Sequence, residues 1–517
     1  MAESASRLGR LLSHNLAVLT DRPGPGAVIC AVMLALLVLR AVLFPGTGGD
    51  DGEQLIFSQF FQWGYQVRNP PLYTWLVMAV AEVTGPGLWA VNIVKFALLT
   101  AMYLFLWRAS LRLFATPVMA GLAALSPVLM YFVAWEVVTG FSHTVLTACL
   151  YAAVLWLLLR LRDGGQGRVG DYALLGLVIG LGAMSKYVFW LFLISLIAAA
   201  MTDRDLRRRL ILPRIAVTLA VAAAVMAPHY HWLLPRLGIL EGQAGDVAGE
   251  GAAFSLRGLG HAAKAAAGFL SPYWLIMLAC FPAAFKRLPV GSPLHPMARV
   301  IGLQIALVLI MTVIGTLTLP EFRIRTHYMF VLLFAPLWML LRAEAAGAAP
   351  GRQGAYGLAL SAALIAAPLG LAGKFLFEPL FCGRCQHHIP YDALAKGIRD
   401  LGFTGGTIVA HWHPDPLPGN LRIRFPDARV ISTKHGDVIP PLKDGANDQC
   451  LVVWSADAPR DGRPPAVGGA NQLLSAGIPK DAPTRLIAAP LAGPSLLTGG
   501  KTAVLGVVLT PGNGSCR

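Results

Sequence analysis

Three carboxylates lie within four residues of the stretch GGDDGEQ: Asp50, Asp51 and Glu53. Carboxylates this close repel one another and lose hydration if they are buried, so a cation, a phosphate-handling site or solvent must accommodate them. A positioned carboxylate can take the proton of an attacking hydroxyl group, and cationic groups or a metal can stabilise a phosphate that leaves. The trio therefore indicates either group-transfer chemistry or a solvated acidic loop.

The composition of the chain is that of a membrane protein. Its 517 residues are 56% hydrophobic and only 13% charged, and the mean hydropathy is +0.61. The net charge of +15 does not indicate a nucleic-acid partner, because many of the basic residues lie in short segments between apolar runs, where they fix membrane orientation. No cleavable signal peptide is evident, so we expect the first apolar run to remain as a helix.

We predict about eleven membrane-spanning helices. Residues 172–201 are ambiguous, but the arginine-rich loops on either side should both be cytoplasmic, which requires an even number of crossings between them. We therefore interpret this stretch as two short spans that meet at the Ser-Lys-Tyr sequence of 185–187. The predicted spans are 27–44, 87–107, 117–134, 144–161, the two within 172–201, 215–234, 266–284, 300–319, 327–341 and 355–373.

With the N-terminus in the cytoplasm, this topology places the acidic trio outside. The first outer loop comprises 45–86, and within it 70–85 is apolar but too short to span and opens with two prolines, which predicts a helix at the outer interface. We divide the chain into a transmembrane catalytic domain, 1–373, and a C-terminal domain, 374–517. In a bacterium the outer side of the inner membrane is the periplasm.

The C-terminal segment has the pattern of a small α/β domain. A helical pattern at 391–401 is followed by short apolar runs separated by proline and glycine, and we predict strands at 407–410, 428–432, 450–455, 484–489 and 502–509. The tail also contains Cys382, Cys385, Cys450 and Cys516, which can form disulfides only outside the cytoplasm. The Cys-X-X-Cys pair is alternatively redox-active or metal-binding, although no second such pair completes a zinc site.

Basic and aromatic residues on the predicted outer face could bind a phosphate-containing donor. An ionisable residue near membrane depth is a functional candidate, whereas one at a helix end can simply extend to the headgroups. His143, at the outer end of the fourth span, is either catalytic or a hydrogen-bonded structural residue. The candidates for the donor phosphate are Arg68, Lys186, Arg323 and Arg325, and those for donor or headgroup contacts are Tyr73, Tyr187 and His327.

Several of these motifs, in this order, resemble the polytopic GT-C glycosyltransferases of family 39. They are DDGEQ, WGY, NPPLYTWL and the Ser-Lys-Tyr at 185–187. The branch in question contains the rhizobial lipopolysaccharide galacturonosyltransferases and, more distantly, the aminoarabinose transferases that modify lipid A. In the tail, GRCQHHIPYDALAKGIRDLGF and GNLRIRFPDARV are similar to the C-terminal domain of that branch. The resemblance covers most of the chain.

The resemblance implies an active site on the outer face, a polyprenyl-phosphate sugar donor and an acceptor at or near the membrane. It places Asp50 and Asp51 at the reaction centre. Asn69 stands where a basic residue usually precedes the two prolines, so that role passes to Arg68 or Lys186. His143 stands where many relatives have an aspartate, which puts a second catalytic carboxylate and an obligatory metal in doubt.

We therefore interpret the chain as an inverting, integral-membrane glycosyltransferase of the bacterial inner membrane. Asp50 is the expected base, Asp51 positions the acceptor or a cation, and Glu53 and His143 are further catalytic candidates. The expected partners are membrane lipid, a polyprenyl-phosphate sugar and an acceptor that is lipid A, lipopolysaccharide core or another envelope glycan. A bound Mg²⁺ or Mn²⁺ stays open, since Asp50 and Asp51 alone are an incomplete ligand set.

Two alternatives belong to other classes of protein. A transporter or flippase of a lipid-linked sugar predicts ionisable residues deep within the spans, and Lys95 is one of the few. A non-catalytic envelope protein that binds partners through its tail is supported only by the size of that tail.

Overall fold

The computed structural model describes most of the chain. Its contacts divide the chain into two compact units. The first unit is Met1–Ala35, Val67–Leu72 and Lys95–Ala367, and the second is Leu36–Gln66, Tyr73–Val94 and Pro368–Arg517. The described residues are 13–21, 24–164, 168–238, 256–318, 326–382, 385–412, 416–442, 449–456, 483–493, 495–512 and 516.

Helices dominate the membrane part, as the apolar composition predicts. Among the described residues, seven are long and apolar enough to cross a membrane: Gly24–Leu43, Leu88–Leu113, Ser142–Asp163, Ile215–Arg236, Met297–Gly315, Tyr328–Ala345 and Pro350–Phe381. Four shorter apolar helices are Leu72–Thr84, Pro117–Leu129, Val169–Ala183 and Val188–Ala200. The predicted class, a polytopic helical membrane protein with a small C-terminal sheet domain, is confirmed.

The ambiguous stretch 172–201 forms two short helices, as predicted. Val169–Ala183 ends and Val188–Ala200 begins on either side of Lys186. Lys186 itself lies in the connecting turn, and its carbonyl accepts the backbone N–H of Phe189 at 2.9 Å. Hydropathy could not separate the two helices, whereas the charge of the flanking loops could.

The prediction of one span at 266–284 is wrong. This stretch contains the end of helix Leu256–Phe269 and the separate helix Tyr273–Cys280. Pro272 lies at the break and has no backbone N–H to continue a helical ladder. The carbonyl of the preceding Ser271 instead accepts the N–H of Tyr131 at 2.8 Å. The apolar composition of this stretch predicted one continuous helix, but Pro272 divides it into two.

The C-terminal domain contains a five-stranded mixed sheet. The strands are β1 (Thr407–Ala410), β2 (Arg429–Ser432), β3 (Gln449–Ser455), β4 (Arg485–Pro490) and β5 (Thr502–Pro511), in the order β2-β1-β3-β5-β4. β1 pairs in parallel with β2 and β3, and β5 pairs antiparallel with β3 and β4. All five predicted strands are present.

Two helices accompany this sheet, and the sequence predicted only the first of them. Tyr391–Asp400 matches the predicted helical pattern, and its apolar face is buried. Leu417–Arg424 connects β1 to β2 and begins with Leu-Pro, a good first turn because proline needs no intrahelical donor there. Every residue of β1 and β2 is buried, as in parallel strands covered on both faces.

Disulfides connect the four tail cysteines in two pairs. Cys382 is bonded to Cys385, and Cys450 is bonded to Cys516. The second bond joins the start of β3 to the segment that follows β5.

Candidate active site

The helix Gly49–Phe57, which we call the acidic helix, separates the three carboxylates of the trio. Successive residues of a helix point about 100° apart, so Asp51 points away from Asp50, whereas Glu53, three residues after Asp50, lies on the same side of the helix as Asp50. Asp50 is exposed, whereas Asp51 is 1% and Glu53 is 8% exposed. The mutual repulsion is relieved because the carboxylates do not share one environment.

Asp51 is accommodated by a buried cation. The guanidinium of Arg40, which is itself 2% exposed, experiences the attraction of the Asp51 charge. Arg40 also donates from Nη1 to the carbonyl of Gly46 at 3.3 Å and lies over the ring of Phe44 at 4.5 Å. A buried charge needs such compensation, and Arg40 provides it for Asp51.

Glu53 is held by residues that follow β2. Its Oε2 lies 3.0 Å from Lys434 Nζ and 2.8 Å from His435 Nε2, and its Oε1 accepts from Gln66 Nε2 at 2.9 Å. Burial raises the pKa of Glu53, but the hydrogen bonds and charges of His435 and Lys434 outweigh it and lower the pKa to about 2. Glu53 is therefore ionised at neutral pH and is a poor proton acceptor.

The low pKa of Glu53 makes this ion pair a source of pH-dependent stability. The folded-state pKa of about 2 lies below the ordinary value of 4.5, so the contribution is present above about pH 4.5 and is lost as the pH falls towards 2. We expect Glu53→Gln to melt at a lower temperature than wild type at pH 6, and the gap to narrow at pH 3. Intrinsic fluorescence of the purified protein measures both. A gap that stays constant with pH would contradict this assignment.

In the first unit, the turn at 184–187 positions Lys186. Its Nζ donates to Thr144 Oγ1 at 3.1 Å and lies 5.3 Å from the centre of the Tyr328 ring. The neighbouring Ser185 hydroxyl lies 3.0 Å from that of Thr147, one helical turn after Thr144. An ammonium held between a hydroxyl and an aromatic face is suited to a phosphate oxygen.

The segment that carries Arg68 lies beside this turn. The N–H of Leu72 donates to the carbonyl of Met184 at 3.4 Å, and Arg68 is exposed. On the other side of Lys186, Tyr187 Oη lies 3.1 Å from His229 Nε2. The predicted cations Arg68 and Lys186 thus belong to neighbouring segments of one unit.

The remaining predicted site residues differ in accessibility. Tyr73, in the second unit, is fully buried, and His143 is 6% exposed and immediately precedes Thr144 in helix Ser142–Asp163. Arg323 and Arg325 lie outside the described residues. His327 lies in the helix Thr326–Leu332, but its side chain is outside the described part.

The carboxylate trio does not fit a divalent cation. Asp51 is buried with Arg40 nearby and Glu53 contacts Lys434 and His435, which leaves one exposed carboxylate, whereas Mg²⁺ and Mn²⁺ favour several oxygen ligands. Within the described ranges, no group of three or more His, Cys, Asp and Glu could hold a metal.

Several residues with close contacts to the predicted site were missed by sequence reasoning, among them Arg40, Gln66 and His229. Thr144 and Tyr328 adjoin the predicted His143 and His327, so proximity in sequence was an available signal. Lys434 and His435 lie about 380 residues from Glu53, and nothing in the local pattern connects them to it.

Comparison with known proteins identifies relatives over most of the chain. The family model for dolichyl-phosphate-mannose-protein mannosyltransferase matches residues 68–232. The lipopolysaccharide core galacturonosyltransferase RgtA of Rhizobium johnstonii is 27% identical over 443 residues, covering 83% of this chain and 86% of RgtA. RgtB of the same organism is 25% identical over 446 residues, covering 82% of this chain and 86% of RgtB.

A solved structure has a similar fold. The crystal structure of ArnT from Cupriavidus metallidurans bound to undecaprenyl phosphate gives a TM-score of 0.60 at 13% identity, covering 93% of this chain and 97% of that chain. The resemblance to GT-C glycosyltransferases of family 39, and to the rhizobial branch within it, is confirmed. This chain is a membrane glycosyltransferase with the GT-C fold.

Proposed function

We propose that the enzyme transfers a sugar from a polyprenyl-phosphate donor to a lipopolysaccharide acceptor, with the lipopolysaccharide core as the first candidate and lipid A as the second. The names of RgtA and RgtB support the core, and the undecaprenyl phosphate bound to ArnT supports the donor. The names of these two relatives also make galacturonate the first sugar to test. The observation that carries the proposal is Asp50, the one exposed carboxylate of the acidic helix.

In the proposed reaction, Asp50 takes the proton of an acceptor hydroxyl. The hydroxyl oxygen forms a bond to the anomeric carbon of the sugar while the bond from that carbon to the phosphate oxygen breaks, which inverts the configuration. The polyprenyl phosphate leaves with the electron pair and gains negative charge. A base next to the nucleophile and cations at the leaving phosphate are the groups that this transfer requires.

We assign the leaving phosphate to Lys186, with Arg68 as a second cation. The contact of Lys186 Nζ with Thr144 and its place over the ring of Tyr328 support this role, because they preorganise the ammonium before the charge develops. Arg323 and Arg325 remain proposed phosphate ligands from the sequence, and Tyr73, Tyr187 and His327 remain proposed donor or headgroup contacts. His143 remains a proposed catalytic residue.

We place the reaction at the periplasmic face of the bacterial inner membrane, with the N-terminus in the cytoplasm. Within this arrangement, 1–373 is the transmembrane catalytic domain with its first outer loop at 45–86, and 374–517 is the periplasmic domain. The arginine-rich loops on one side of the membrane helices support this orientation. The two tail disulfides also support it, because such bonds persist in oxidising compartments.

The proposal is tested by mass spectrometry of lipid A, core and total envelope glycans. We compare a deletion strain with the same strain complemented by wild type or by Asp50→Asn. We expect one sugar to be missing and to be restored only by wild type. Intact glycans together with a lipid-linked sugar that accumulates on the inner leaflet would refute transfer and favour the flippase. Lys95, fully buried in helix Leu88–Leu113, would then be the first residue to test.

A further inference from the structure

The acidic helix is bonded to the C-terminal domain through Glu53. Lys434 and His435 follow directly after β2, and both reach the same carboxylate oxygen, at 3.0 and 2.8 Å. The Lys434 side chain is 40% exposed and that of Glu53 is 11% exposed. A partly buried carboxylate oxygen that contacts both an ammonium and an imidazole nitrogen has one favoured orientation, because the alternative rotamers lose both contacts.

Both flanks of the acidic helix are also held by tail residues. Before the helix, the N–H of Thr47 donates to Asn420 Oδ1 at 2.8 Å. After the helix, Gln59 pairs with the backbone of Val430, donating to its carbonyl and accepting its N–H, each at 2.8 Å. The acidic helix therefore cannot shift along its axis without breaking bonds at both ends.

The helix Leu417–Arg424 approaches the acidic helix at two glycines. A Cβ on Gly419 would overlap the Cα of Gly52, so the two backbones approach this closely because Gly419 lacks a side chain. Gly52 lies between Asp51 and Glu53. The contact thus falls in the middle of the acidic trio.

The loops at the carboxyl ends of β1 and β2 support Lys434 and His435. Parallel strands end at one edge of the sheet, and here Trp412 from the β1 end lies under Lys434, with the ammonium 4.4 Å from its ring centre. Trp412 also packs edge-on against His435 at 5.7 Å. His411 Nδ1 lies 3.0 Å from Thr433 Oγ1 and links the two loops. Trp412 is 7% exposed, so it serves the packing of this cluster and offers no open face to a sugar.

We infer that Lys434 and His435 are positioning residues of the transferase, which fix the rotation of the acidic helix and so the direction of Asp50. The inference rests on the proposed function of Asp50. In a nine-residue helix the direction of one side chain sets that of the others, so anchoring Glu53 determines where the carboxylate of Asp50 points three residues earlier. A displacement of about 1 Å at a reacting group lowers rates by roughly 100-fold.

The test compares Lys434→Met, Lys434→Arg and Glu53→Gln in the full-length enzyme. We expect Lys434→Met and Glu53→Gln to lower kcat about 10- to 100-fold while the KM for the polyprenyl-phosphate donor changes less than about twofold. The double variant Lys434→Met/Glu53→Gln should have a kcat no lower than that of the slower single variant, because both changes remove the same Lys434–Glu53 interaction. Lys434→Arg should recover much of kcat. Lys396→Met, which removes an exposed pair with Asp400, is the matched control and should behave as wild type.

Hydrogen exchange of the acidic helix in the same folded variants provides a second readout. We expect faster exchange at 49–57 in Lys434→Met and unchanged exchange in Lys396→Met. Folded variants with wild-type kcat and wild-type exchange would overturn the inference. Transfer by the wild-type enzyme in the same assay tests the proposed function separately, since its absence would refute that function whatever the exchange data show.

Discussion

Replacement of Asp50 by asparagine is expected to lower kcat by about 100- to 10,000-fold, the range that a positioned general base contributes. The amide keeps the size of the side chain but cannot accept the proton of the attacking hydroxyl. Asp50 is the exposed member of the trio, so the change breaks neither the Arg40 interaction of Asp51 nor the contacts of Glu53. The KM for the donor should change little. Transfer of labelled sugar by purified protein gives both constants.

Two comparisons make the Asp50 result specific. Asp400→Asn removes another exposed carboxylate, in helix Tyr391–Asp400, and should leave kcat within about twofold of wild type, as for surface changes remote from a site. Asp50→Asn should also melt at the wild-type temperature. A folded Asp50→Asn enzyme with full kcat would remove Asp50 from the mechanism, and the base would have to be sought elsewhere.

The sequence predicted the elements of this fold better than the contacts between them. Each strand of the C-terminal sheet coincides with an apolar run that proline or glycine bounds, so a local pattern was enough to predict it. The pair of helices on either side of Lys186 required a longer-range argument from loop charge, and it also succeeded. The failure at 266–284 has a local cause in Pro272, which was visible in the sequence but was outweighed by hydropathy.

The environments of the three carboxylates could not be predicted from their spacing. In a helix this spacing places Asp50 and Glu53 on one side and Asp51 on another, but it does not show what each side contacts. Glu53 illustrates the limit, because its partner Lys434 lies 381 residues away in a loop whose sequence resembles any polar turn. Arg40, in contrast, lies in the first apolar run. A single arginine in such a run indicates from the sequence alone that a compensating charged or polar partner lies nearby.

Replacement of Lys186 by methionine is expected to lower kcat/KM about 100- to 1,000-fold, as the loss of one preorganised stabilising group does. Methionine retains much of the length and apolar stem but not the charge, so the leaving phosphate loses a cation while the packing at Tyr328 persists. Thr144→Val should have a smaller effect of about tenfold, because it removes the hydroxyl that orients the ammonium and leaves the ammonium itself.

The dependence on donor concentration distinguishes a role at the phosphate from a role in folding. Lys186→Met should raise the KM for the donor as well as lower kcat, because the phosphate is charged both in the bound donor and in the transition state. Lys264→Met, an exposed change in helix Leu256–Phe269, should alter neither constant. If folded Lys186→Met kept the wild-type KM and kcat, Lys186 would be a structural residue. The phosphate would then depend on Arg68, the exposed cation beside the same turn.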